Sequence, residues 1–497
     1  MGLQSIQYLV FLVVAAAVYL HLPHKGQAPF LLGASWVFYA LAPGRMLPVT
    51  LAIAAFSYLC GLGIGWKNGA HKTAFVRLGV VGSLLILAFF KYGGALEIPL
   101  HLPFSVVMPL GISFYSFAAI SYLIDAARGD CLVVRNPVTY ALFLTFFGTV
   151  TQGPIPRAGQ LVPELEAEHR FDAGRTVQAL RLYALGLFKM VAISDVLGVL
   201  VDEVFGSWHS YGGWMLVLAA VAYTFQLYFN FSGYSELARA TGLILGITLP
   251  ENFKTPFFAT NFSGFWSRWH ISFSSWLQDY LFMPLAWADT EKLTFGRLRR
   301  LPPEICVFVV FFVSGFWHGN TLPFVVWGLL QALYRVGEEI LHRTLGKPKK
   351  KAPARVLWAK RAGVFVLWAL SMVFFRMGAG GTVGDCFGYL AGMVQGLSPV
   401  RFGSELYAAA YNGFYANSLM VGGYYAFALL ALALGIWMDH RRCFVHRNRP
   451  AEEMLAALPI RRRQVAYLVL ICLIWVGYIL QSGGFGGTAG FGMYANF

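Results

Sequence analysis

Two histidines stand where an ionisable side chain is costly. His270 and His318 each directly follow a tryptophan, in NFSGFWSRWHISFSSWLQDYLFMPLAW and FVVFFVSGFWHGNTLPFVVWG. Both stretches are mostly apolar, aromatic or small, and an ionisable group at membrane depth marks a functional-site candidate. His318 is flanked by the small Gly315 and Gly319 and the aromatic Phe316 and Trp317. Small neighbours let backbone or substrate approach closely. Burial disfavours imidazolium, and a neutral imidazole can take a proton from an alcohol, which suits general-base acyl transfer. A structural, hydrogen-bonded histidine explains the same burial, so both readings stand on these residues alone.

His270 lies in SRWHISFSSW. On a continuous helix, Trp266, Trp269, His270, Phe273 and Leu277 share one face by their 3, 4 and 7 spacing. That predicts an interfacial helix with tryptophans at headgroup level and a structural His270. Lys91, Asp125, Lys189, Asp195, Asp279 and Arg376 also lie in or beside apolar runs. They read as interface anchors or paired charges, with some available to line a cavity. There is no GxSxG elbow, P-loop or metal-spaced histidine cluster, so neither a metal nor a bound cofactor is expected. The six cysteines show no CxxC pair and read as apolar fillers.

The elements that must position these histidines are membrane helices. Of 497 residues, 58% are apolar and 12% charged, with mean hydropathy +0.60; soluble domains carry about 25% charged residues. The net charge of +15 does not indicate nucleic acid. Of 38 Lys and Arg, 22 fall in the loops 67–77, 292–300, 343–361 and 441–463, the positive-inside pattern. The first apolar run, Ile6 to Leu22, lacks a basic start and reads as a retained span rather than a signal peptide.

Apolar runs at 6–22, 28–43, 46–65, 78–92, 138–153, 182–203, 213–230, 362–376, 419–438 and 464–481 predict crossings. The runs at 303–318 and 321–341 meet at HGNT. Pro109 and Gly111 predict a broken or re-entrant helix in 106–130. Gly233, Gly242, Gly246 and Pro250 predict that 229–258 is cut into short pieces, and 162–181 reads as a solvated amphipathic helix. Charge parity gives about eleven crossings with both termini outside. The fold class is therefore all-α and polytopic, with one membrane domain over 1–497. It comprises N-terminal spans (1–95), a central catalytic core (104–341) and C-terminal spans (342–497).

The residues also resemble a known family. MPLGISFYSFAAISYLIDAARG (108–129), GPIPR (153–157), FSGYSELARATGLILGITLPENFKTPF (231–257), FWSRWHISFSSWLQDYLFMPL (265–285), SGFWHG (314–319) and VFFR (373–376) resemble, in order, the membrane-bound O-acyltransferases. The likeness is to their bacterial cell-envelope branch, which includes alginate and peptidoglycan O-acetyltransferases and the teichoic acid D-alanyl-transfer protein. The resemblance implies that His318 is the catalytic histidine and His270 the family's second characteristic histidine. It implies a ring of tilted helices around a funnel. A thioester, acetyl-CoA or a D-alanyl carrier protein, enters from the cytoplasm, and a hydroxyl of an exported envelope polysaccharide is reached from outside.

An extracytoplasmic acyltransferase or acceptor-presenting partner and a bacterial inner-membrane location go with this implication. So do candidates to line the substrate path: Asn230, Ser232, Tyr234, Asn252 and Trp266, and then Arg268, Trp269, Asp279, Trp317 and Asn320. Gln331 stands where relatives often carry histidine, and Gln278 where many carry arginine. GFWHG and GPIPR lean toward D-alanyl transfer; the length and VFFR lean toward acetyl transfer. A transporter or flippase is the competing reading, since broken helices and buried charges suit it, though no internal repeat is visible.

Overall fold

The computed structural model describes residues 2–41, 46–66, 69–100, 108–291, 299–345, 352–414 and 418–482. Lys67, Lys292, Arg297, the lysines of 347–351 and the glycine-rich tail from 483 lie outside them. Among the described residues every regular element is a helix. Seven helices are long and apolar enough to cross a membrane: Leu47–Ile64, His71–Gly93, Ala173–Gly206, Gly213–Leu245, Ala354–Met377, Met420–Phe444 and Ile460–Leu480. Ile6–Tyr19 and Pro303–His318 are shorter apolar helices. Short helices span where the bilayer thins locally. Leu322–Leu345 is long enough, but its second half is studded with Arg335, Glu338, Glu339 and Arg343.

The chain forms two compact units. The first gathers Met1–Gly186 with Tyr234–Glu251; the second gathers Leu187–Gly233 with Asn252–Gly487. In the first unit, the segment expected as one solvated helix is two helices, Ala158–Glu166 and one starting at Ala173. Between them His169 is buried. Gln27 supplies the reason. Its amide donates to the His169 carbonyl at 2.6 Å and accepts the His169 N–H at 3.0 Å, which satisfies a loop that helix would otherwise have to pair.

The stretch expected to break at Gly233 and Gly242 instead runs as helix from Gly213 to Leu245. A glycine inside a helix costs only about 1 kcal/mol against alanine, which the packing on both faces outweighs. The break comes at Gly246, whose φ of 94° is left-handed. There Ile247 N–H turns back to the Gly242 carbonyl at 2.8 Å. Where a break is expected near Pro109 and Gly111, a helix begins at Ile112 behind Gly111, whose φ of 73° is left-handed; residues 101–107, on the other side of that break, lie outside the described residues.

In the second unit, a π-helical stretch, Phe188–Ser194, leads into Asp195–Gly206. Helices Ser418–Phe444 and Ile460–Ser482 pack against it. The basic end of the first of these anchors the segment after Asn252. Buried Arg442 donates to the Phe253 carbonyl at 3.3 Å and to the Arg449 carbonyl at 2.9 Å. Thr255 Oγ1 donates to Asn448 Oδ1 at 2.9 Å, and the Tyr228 hydroxyl donates to Asp439 at 2.5 Å.

Candidate active site

Both histidines belong to the second unit. His318 is the last residue of the helix Pro303–His318, and Leu322–Leu345 returns antiparallel after a short turn. The two helices touch backbone to backbone at Gly315 and Gly328. A Cβ on Gly315 would come within 2.5 Å of the Phe324 carbonyl oxygen, and one on Gly328 would overlap the Phe311 carbonyl oxygen. Close approach of this kind is what small residues permit between membrane helices. Thr321 Oγ1 then donates to the Gly378 carbonyl at 2.8 Å, tying the turn to the end of Ala354–Met377.

This geometry surrounds the buried His318 with rings from several elements. Trp327 stands perpendicular to it at 5.1 Å between centroids and Phe375 at 4.8 Å and 72°. Phe324 and Phe273 each lie at 6.3 Å. Behind them Trp266, Trp327 and Trp368 pack on one another at 5.7–6.3 Å, and Trp269 meets Trp368 at 4.9 Å. Gln331 is fully buried and donates to Ser371 Oγ at 2.9 Å.

His270 is held differently, and the continuous amphipathic helix expected around it is absent. Phe262–Trp266 is a five-residue helix capped by Asn261, whose side chain accepts Gly264 N–H at 2.7 Å. The chain then turns, and His270 adopts φ 44° and ψ 55°, the left-handed region. A new helix, Ile271–Leu277, starts beneath it, with the His270 carbonyl accepting from Phe273 and Ser274 at 3.0 and 2.9 Å.

The break is enforced from outside. Lys254 N–H bonds the Arg268 carbonyl at 3.0 Å and Ile271 N–H bonds the Asn252 carbonyl at 2.9 Å, clasping the turn against 252–254. Downstream, Pro284 has no N–H to continue the helix, and a π-helical turn occupies Gln278–Phe282. Thr255, His270, Arg447 and Asn448 are the non-glycine residues with positive φ among the described residues. Three of them, Thr255, His270 and Asn448, sit on this one clasp. Such backbone costs of order 1–3 kcal/mol per residue and gathers at functional sites.

The His270 ring is buried, edge-on to Phe231 at 4.5 Å and 5.0 Å from Phe273. Phe273 thus packs against both imidazoles, which can be no further apart than its two ring distances combined. His270 lies outside the spanning helices, and burial pushes its imidazole down to about 3, so the ring is neutral. Nδ1 is 3.4 Å from Asn252 Oδ1. Nε2 is buried with no hydrogen-bond partner among the described residues.

Other expected site residues divide. Asn252, Trp266 and Trp269 join the two histidines through the contacts above, and Trp317 packs on Phe273 at 4.5 Å and on His318 at 4.6 Å. Asn230 and Ser232 are buried on Gly213–Leu245 in the same unit as the histidines. Arg268 is half-buried, its side chain 3.9 Å from Cys443 Sγ. Asp279 and Asn320 are exposed. Tyr234 belongs to the first unit, where its hydroxyl bonds Thr151. Phe273, Trp327 and Phe375 are not among the site candidates that the sequence offers. Phe375 had a signal, its place in VFFR; the others look like any core aromatic.

The description "MBOAT, membrane-bound O-acyltransferase family" matches residues 132–375, which contain both histidines. The chain is 34% identical over 383 residues to the probable alginate O-acetylase AlgI of Pseudomonas putida, covering 74% of this chain and 75% of that protein. It is 30% identical over 334 residues to the peptidoglycan O-acetyltransferase of Helicobacter pylori, covering 60% and 62%. It is 29% identical over 280 residues to the teichoic acid D-alanyltransferase of Bacillus subtilis, covering 53% and 67%. The all-helical fold and these matches agree: the chain belongs to the membrane-bound O-acyltransferase family and is an O-acyltransferase.

Proposed function

We propose that this O-acyltransferase moves an acetyl group from acetyl-CoA on the cytoplasmic side to hydroxyls of an exported envelope polysaccharide, with His318 as general base. The observation that carries the reading is the buried His318 imidazole at a helix end, with a second, neutral imidazole packed on the same Phe273 ring. An imidazole lined by aromatic rings can act as a general base and remove the hydroxyl proton as attack on the thioester begins. Holding both substrates in one enclosed site supplies proximity. Asn230, Ser232, Asn252, Trp266 and Trp269 are proposed to line the substrate path. The protein is proposed to lie in the bacterial inner membrane with both ends outside, beside an extracytoplasmic partner that presents the acceptor.

The names of the alginate and peptidoglycan relatives favour acetyl as the acyl group. The likeness to teichoic acid D-alanyltransferases supports a second reading, D-alanyl transfer from a carrier protein. Membranes containing the protein, its partner and radiolabelled acetyl-CoA separate the two. Label entering exported glycan with wild type and not with His318→Ala is the expected result. Label with both would remove His318 from the chemistry. Label with neither, in membranes holding folded protein, would favour the carrier-borne D-alanyl group.

A further inference from the structure

The carboxamide of Asn252 decides which nitrogen of His270 carries the proton. Its Oδ1 accepts the backbone N–H of Ser272 at 3.0 Å. A backbone N–H can only donate, so the atom facing it is the oxygen and the amide cannot be turned about. The same oxygen receives Ser272 Oγ–H at 2.9 Å and faces His270 Nδ1 at 3.4 Å. An amide oxygen has no proton to offer, so the bond to His270 requires the proton on Nδ1. In a neutral imidazole the lone pair is then on Nε2. That atom and Asn252 Nδ2 are both buried with no hydrogen-bond partner among the described residues.

We infer that Asn252 is a positioning residue that locks His270 as the Nδ1–H tautomer, so that the pair presents an acceptor at Nε2 and a donor at Nδ2 to a ligand hydroxyl. A hydroxyl can donate a hydrogen bond to the first and accept one from the second. The carbonyl oxygen of a thioester accepts only and has nothing to give Nε2. His270 thereby belongs to the hydroxyl side of the reaction and not to the donor's carbonyl. The assignment of a reaction side rests on the acyl-transfer reading above; the tautomer does not.

The test is the 15N spectrum of the full chain in detergent with labelled histidine, the His270 signals identified by their loss in His270→Asn. Wild type is expected to show a protonated Nδ1 and a bare Nε2. Asn252→Leu should move the proton to Nε2 or divide it between the two, while Asn252→Asp, which keeps an acceptor oxygen, should retain Nδ1–H. A protonated Nε2 in wild type, or an unchanged ring in Asn252→Leu, overturns the proposal; if Asn252→Leu does not fold, the wild-type and Asn252→Asp spectra decide it.

In transfer assays Asn252→Leu should lose about 10²-fold, the scale of a misplaced catalytic group. It should add less than about twofold in a His270→Asn background, because one residue acts through the other. Additive losses would make Asn252 merely structural. An alginate oligosaccharide should shift the Nε2 resonance and a thioether analogue of acetyl-CoA should not; a response to the analogue, or to neither, overturns the hydroxyl assignment. Absence of acyl transfer in every protein, with the tautomer as expected, would instead refute the functional reading.

Discussion

The two imidazoles of this enzyme sit in different backbone settings. His318 ends a regular helix in a hairpin pressed together at Gly315 and Gly328, packed by the rings of Trp327, Phe375, Phe324 and Phe273. His270 sits in a left-handed turn between two short helices, and what fixes it is hydrogen bonding: two backbone bonds to 252–254 and the Asn252 carboxamide. Packing sets where a ring lies. A hydrogen bond also sets which nitrogen is protonated. The strained backbone gathers on the second site, where φ is positive at Thr255, His270 and Asn448.

The sharpest division between the two sites is in rate. His318→Ala should cost acyl transfer at least about 10³-fold, within the range of a lost general base, while His270→Asn should cost less and leave detectable label in glycan. Equal losses from both would erase the functional distinction between the two histidines.

Next in size is the packing that seats His318. Gly328→Val would drive a side chain into the Phe311 carbonyl and splay the hairpin, an overpacking cost of roughly 1–3 kcal/mol. The melting temperature in detergent should fall and activity with it. A variant with unchanged melting temperature would mean that the close helix approach is not needed.

A smaller effect separates the sites by pH. His270 is neutral when folded, with its value lowered to about 3, whereas an unfolded histidine titrates near 6.5. Between these values the unfolded chain binds the extra proton, so its stabilising contribution is whole above about pH 6.5 and is lost as pH falls toward 3. Wild type should therefore lose more thermal stability between pH 7 and pH 5 than His270→Asn does. Parallel losses would contradict the burial argument.

The smallest is conformational. Asparagine tolerates the left-handed region and a β-branched residue does not. His270→Asn should melt above His270→Val by an amount worth about 1–2 kcal/mol, and identical melting curves would show that the turn relaxes.

Much of this enzyme was legible before any fold was known. Apolar runs and basic loops called for a many-helix membrane protein, because hydrocarbon admits few charges and no unpaired backbone. WHG and WHIS pointed to His318 and His270 because an ionisable ring in apolar sequence demands a reason. The HGNT turn between two helices was readable for the same reason that any polar break between apolar runs is.

What local pattern misread was continuity. Gly233 and Gly242 look like breaks but lie inside helix, since a glycine's small helical penalty is easily outweighed by packing. Trp266 to Leu277 looks like one helical face but is broken at His270, since bonds from Asn252 and Lys254, distant in sequence, win over helical spacing. The identity of the chemical groups was written in the chain. Their separation, the rings packed on them and the protonated nitrogen of His270 depend on contacts between residues far apart in sequence, and only folding brings those together.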